Sequence, residues 1–309
     1  MGKLWSSVKI HRRAFIAGVP ALVGEIILEP YGYGVFTGGY GIIDYVSRRA
    51  THRPIEYVAE VIKAETGLDF FIAPKNNGGN RNLVIMQEIH RSTNYEQLGF
   101  FRRLDEKVRF DSFFFDGITS DPQDLEKSLD EIGRIYDINA ELADSAVMKI
   151  HEYGEMGDVY GMETVGIFLD LERIRRIRGL IGEMDSNPGN PANKYRRQEI
   201  ARHVRDMKYM RTGVSPEGIK ENREDFEIGV ISFQNEHRTP SMADNIDRRL
   251  KSYTTAGACI GFMHIRPDDF IPDSGYESIL PYLDSKGISY LVMDAEHVAP
   301  RFRSFDLIR

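Results

Sequence analysis

Apolar and polar positions along this chain fall into two registers. The runs "NLVIM" (82–86), "FDSFFFDGI" (110–118), "VYGMETV" (159–165), "ACIGFMH" (258–264) and "SYLVMDA" (289–295) are apolar stretches of strand length. Near-continuous apolarity is what a strand covered on both faces requires. Between them lie stretches with helical spacing. Residues 54–66 carry apolar positions about 3.6 apart and stop at Gly67; "STNYEQLGFFRRLDEK" (92–107), residues 122–153 and "GYESILPYLDSKG" (275–287) also read as helices. So do the charged segments from Leu169 to Met210, broken at "SNPGNP" (186–191), and one or two helices within 222–253 despite Pro240.

Strands alternating with helices predict an α/β fold, a three-layer sandwich whose mostly parallel central sheet is flanked by helices. The Asn- and Gly-rich loop "APKNNGGNRN" (73–82) divides the chain into an N-terminal extension, residues 1–75, and the α/β domain, residues 76–309. In the extension, "YGYGVFTGGYGI" (31–42) carries five glycines among aromatics and reads as a turn-rich region. It has neither a Walker lysine nor a GxGxxG before a helix, so phosphate binding is the weaker reading. As an aromatic surface it is a candidate for homo-oligomer contacts.

Composition narrows the picture. The 309 residues are 41% hydrophobic and 28% charged, as in an ordinary globular chain, and no stretch has the apolar length of a transmembrane segment. A net charge of −7 argues against nucleic acid as a partner, since phosphate contacts need concentrated Lys and Arg. "RIRRIR" and "KYRRQEIARHVRD" read as solvated helix faces that balance nearby acids. Cys259, the single cysteine, sits among apolar residues and reads as a buried structural thiol. A cytoplasmic location is expected; the paired Arg12 and Arg13 before a short apolar run give twin-arginine-type export as the alternative, although Pro20 and Glu25 interrupt that run.

The candidate chemistry lies where the strands stop. In a parallel sheet, ligands bind beyond the carboxyl ends of the strands. "NLVIM" runs into Gln87, Glu88 and His90, "FDSFFFDGI" reaches Asp116, "VYGMETV" Glu163, and "ACIGFMH" closes on His264. Alone, each has a plain explanation: a turn residue in Asp116-Gly117, a helix cap in Glu88, a solvated carboxylate in Glu163. Their repetition at equivalent ends favours a shared cleft. Arg238 precedes Met242 by one helical turn and Asn245 by two, so the three share a face. "DAEH" (294–297) reads as an outer polar edge.

These motifs, in this order, resemble the superfamily that contains erythromycin esterases, ChaN-like haem-binding lipoproteins, and TraB and TIKI proteins. Its first strand typically ends in Gly-Glu-x-His; Glu88 and His90 match, with Gln87 in the glycine position. Asp116-Gly117 stands for its Glu-Gly, and Gly261-x-x-His264 matches its second histidine motif. Arg238 with Met242, Ala243 and Asn245 resembles its Arg-Asp-x-x-Met-Ala-x-Asn pattern, with Thr239 at the acidic position. The resemblance spans about residues 80–295.

It implies a hydrolase acting on an ester, amide or related bond of a small molecule or peptide, with Glu88, His90, Asp116, Glu163, Arg238 and His264 as catalytic candidates. Two mechanisms stay open. In one, His90 or His264 is general base on water, Glu88 or Glu163 orients the imidazole, and Arg238 stabilises an oxyanion or grips a substrate carboxylate. In the other, His90, Glu163 and His264 hold a divalent ion (Zn, Mn or Co) that activates the water. The ChaN-like members imply a third expectation, a non-catalytic receptacle for haem or another ligand.

Overall fold

The fold is described from a computed structural model, which describes residues 46–67, 69–88, 94–119, 151–211, 218–219, 222–270 and 275–294. The chain divides into two units. In the smaller, residues 1–53 with 252–254, the described part is a helical turn at 46–51 and the segment carrying Tyr253, whose ring meets Arg49 and His52.

The larger unit is the expected three-layer α/β sandwich. Its elements are α1 (Ile55–Thr66), β1 (Ile72–Lys75), β2 (Arg81–Glu88), α2 (Asn94–Val108), β3 (Ser112–Thr119) and β4 (Asp158–Glu163). They continue with α3 (Val165–Ser186), α4 (Asn193–Asp206), α5 (Arg223–Phe233), a π-helical turn (Gln234–Arg238) and α6 (Thr239–Arg249). Then follow β5 (Thr254–Gly261), a 3-10 turn (Phe262–His264), α7 (Pro267–Phe270), α8 (Leu280–Ser285) and β6 (Ser289–Asp294). The sheet order is β1-β6-β2-β5-β3-β4. β2 runs parallel to β6, and β3 runs parallel to both β4 and β5. β1 is antiparallel at the edge.

Two layers of side chains follow from the strand period of two. Val84 and Met86, Phe113 and Phe115, Cys259, and Leu291 and Met293 face α1 and α2. Leu83 and Ile85, Phe114, Ala258 and Ile260, and Tyr290 and Val292 face α6 and α8. The first layer is aromatic: Phe101, Phe113 and Phe115 all meet the Tyr153 ring edge-on. The connection from β2 advances toward β3 with α2 on one face. The connection from β5 returns toward β6 with α8 on the other, as right-handed crossovers demand. The two connections therefore part at the C-terminal ends of the neighbours β2 and β5, the position in a parallel sheet where ligands bind.

Some elements differ from the sequence reading. Ile72–Lys75, read as extension and loop, is strand β1; it is short, carries Pro74 and pairs on one side only, so it lacks an interior strand's pattern. α1, also assigned to the extension, buries Ile55, Val58 and Ile62 under the sheet, and the larger unit begins at Pro54. The helix read over 275–287 is only α8, which starts beside Pro281. α3, α4 and α5 build a separate core between β4 and β5, centred on Ile174, Ile177, Ile200 and Phe226. Their arginines pair with acids as expected: Arg176 with Glu199, Arg178 with Glu227. Cys259 is buried, and no helix among the described residues is long and apolar enough to cross a membrane. Residues 31–42, the paired arginines and most of 122–153 lie outside the described residues.

Candidate functional site

Asp116 is the last β3 residue on the α6 side before the strand bulges. Gly117 adopts φ 76°, a left-handed conformation that a side chain disfavours, and the pairing register with β4 shifts between Phe115 and Thr119. Glu163 ends β4. Arg238 comes from the π-helical turn, whose cause is local. Pro240 has no N–H and its ring would clash with the carbonyl four residues back, so the helix widens by one residue, and Thr239 N–H bonds to the Gln234 carbonyl five residues earlier. His264 ends the turn that follows β5.

These four side chains meet. Arg238 Nε and Nη2 donate to Glu163 Oε1 at 2.9 and 2.5 Å, and Nη2 also donates to Asp116 Oδ1 at 2.9 Å. Asp116 Oδ2 accepts the Gly261 N–H at 3.2 Å and lies 3.6 Å from His264 Nε2. The exposures are 3% for Asp116, 1% for Glu163, 6% for Arg238 and 7% for His264, so the cluster is nearly dry and its charges interact strongly.

Two carboxyls share one guanidinium here. Burial pushes the Glu163 carboxyl above its ordinary range; Arg238 opposes this, and neighbouring Asp116 reinforces it. Burial alone would weaken the Arg238 cation, but Glu163 and Asp116 outweigh it and hold the proton more firmly.

α6 is fixed to the same edge. Asn245 Nδ2 donates to the Met162 carbonyl at 2.8 Å and to Thr164 Oγ1 at 3.2 Å, and Met242 is buried against the sheet, as their shared helix face implies. Thr164 Oγ1 in turn lies 2.7 Å from Ser241 Oγ. The sequence reading missed Gln234, whose Oε1 accepts Arg238 Nη1 at 3.4 Å, and the backbone N–H of Gly261. The first is visible in hindsight as an i, i+4 pair; a main-chain donor leaves no signal.

Of the six predicted site residues, Asp116, Glu163, Arg238 and His264 converge. Glu88 closes β2, but its side chain and all of His90 lie outside the described residues, as does 295–297 of "DAEH". Arg238 lies between the two carboxyls. Its nitrogens are engaged by Glu163, Asp116 and Gln234, so it positions the carboxyls.

Of the expected metal ligands, Glu163 and His264 are described and His90 lies outside the described residues. Among the described residues, no three His, Cys, Asp or Glu side chains are placed to hold an ion. The guanidinium already bridges the carboxyls, so a dication on Glu163 Oε1 would face a buried positive charge. Fold and site together define an α/β protein with a buried carboxyl–guanidinium–imidazole cluster at the C-terminal edge of its sheet. No family model, no curated protein and no solved structure matches the chain.

Proposed function

We propose that this protein is a hydrolase of the erythromycin-esterase-like superfamily, cleaving an ester, amide or related bond with an imidazole as general base. The observation that supports this most is the approach of His264 to Asp116 within a cluster drawn from four separate strand and helix ends. Asp116, fixed by Arg238 and the Gly261 N–H, favours a proton on His264 Nε2 and makes Nδ1 the basic nitrogen. The imidazole takes a proton from water as the water oxygen bonds to the substrate carbonyl carbon. The tetrahedral intermediate then collapses, the carbon–oxygen or carbon–nitrogen bond breaks, and the imidazolium returns its proton to the leaving atom. Burial raises the Glu163 carboxyl, and Arg238 lies between it and Asp116, so the two carboxyls are held around one cation beside the imidazole.

The competing explanation is an ion-pair cluster that only ties β3, β4 and α6 together. Hydrolysis of a panel of 4-nitrophenyl esters and 4-nitroanilides by wild type, His264→Ala and His264→Gln separates the two. General-base catalysis predicts a loss of about 10²–10⁴-fold in kcat in both variants, with the thermal midpoint held. Turnover that survives both substitutions sinks the proposal.

A further inference from the structure

We infer that Gln87 is a substrate-binding residue of the same cleft, and that the substrate carries a hydroxyl or amide N–H donor beside its scissile group. The inference rests on the hydrolase reading for the word substrate, but its geometry is independent of it. Gln87 is the penultimate residue of β2 and is 4% exposed, yet its Oε1 is buried with no hydrogen-bond partner among the described residues. Buried amide oxygens are paired in folded proteins almost without exception, so an orphan calls for an explanation.

Register places this oxygen. Asn82 Nδ2 donates to Thr255 Oγ1, and each residue is second in its own eight-residue strand, so the neighbours β2 and β5 start level and run parallel. Counting forward, Gln87 stands level with Ile260. Ser112 pairs with Ala256 and Phe115 with Cys259, so Asp116 is level with Ile260 as well. All three have the parity of the layer that faces α6 and α8. Gln87 and Asp116 thus flank Ile260 on one face, with backbones about 9.5 Å apart across two strand spacings. β2 and β5 are also the pair whose outgoing connections part, the position at which a parallel sheet takes its ligand.

A second buried oxygen, Glu163 Oε2, is likewise without a partner among the described residues. Two unpaired acceptors thus stand at the same edge of the sheet, Glu163 Oε2 within the Asp116–Arg238–His264 cluster and Gln87 Oε1 two strand spacings from Asp116. A plain apolar acyl chain would leave Gln87 Oε1 unpaired on binding. A hydroxyl or N–H donor would pair it, and sites built this way discriminate sharply against analogues that lack the donor.

The test uses 3-hydroxybutyramide and 3-methoxybutyramide, which differ in a single donor, titrated by NMR into the full chain and into Gln87→Leu and Gln87→Met. Wild type should bind the hydroxy compound roughly ten-fold tighter, and both variants should bring the ratio to about one with the thermal midpoint equal or higher. A wild-type ratio of one, a ratio that persists in both variants, or a midpoint that falls in both would overturn the inference. The titration reads binding directly and not product, so failure of the ester and anilide assay leaves this result readable on its own.

Discussion

Replacing Arg238 with methionine removes the only cation seen between Asp116 and Glu163 while keeping a long side chain in place. Both carboxyl side chains are 1% exposed, and the guanidinium meets them at 2.5–2.9 Å. Breaking a buried pair from one side costs about 3–5 kcal/mol, because the stranded charge loses its partner and regains no water. For a domain of this size that is a fall in thermal midpoint of about 6–20 °C.

The cost depends on pH. Without Arg238 the carboxyls take up protons more readily, so Arg238→Met lies closest to wild type in mild acid and furthest from it near pH 8. Adding Glu163→Gln to Arg238→Met removes one stranded carboxylate and should recover part of the loss at neutral pH. Urea denaturation followed by circular dichroism at pH 5 and pH 8 measures all four corners of this cycle. A cost below about 1 kcal/mol, flat with pH, is what an exposed pair would give and would refute the reasoning.

Other perturbations test neighbouring steps. Because burial raises the Glu163 carboxyl above its ordinary value of 4.5, its contribution to stability is complete below that value and is lost as pH rises through the folded-state value. Glu163→Gln does not titrate, so it should gain on wild type as pH climbs from 4.5 through the folded-state value; a constant difference in urea midpoint contradicts this. Pro240→Ala restores an N–H for the Glu236 carbonyl and lets the π-helical turn close, rotating Arg238 by about 100° relative to α6. The thermal midpoint should hold or rise while ester turnover falls, and unchanged turnover would count against the turn's positioning role. Gly257→Ala would place a Cβ 2.7 Å from Phe113 Cδ1 and 2.8 Å from Phe101 Cε1 in the aromatic layer. Overpacking of that kind costs about 1–3 kcal/mol, and an unchanged urea midpoint would show that the rings give way.

Much of the larger unit is legible in the order of its residues. The five long strands announce themselves because burial on both faces demands nearly continuous apolar runs, and α1 stops at Gly67 where the residue adopts φ 65°. The positions of Asp116, Glu163 and His264 follow from one rule about strand ends. β1 escaped because four residues on an edge carry too little pattern. The α3–α5 core escaped because amphipathic periodicity tells how a helix buries its face and not against which neighbour.

The sequence alone therefore determined the layers, the parallel sheet and the row of polar residues at its carboxyl edge, since each depends on local period and burial. Strand order is a tertiary property, and it alone decided that β5 enters between β2 and β3. That insertion brings the Gly261 N–H and His264 onto Asp116, and it places Gln87 two strands away from Asp116 at the same level. The widening of a helix around Pro240 decided the rest, by setting Arg238 as the cation between two buried carboxyls.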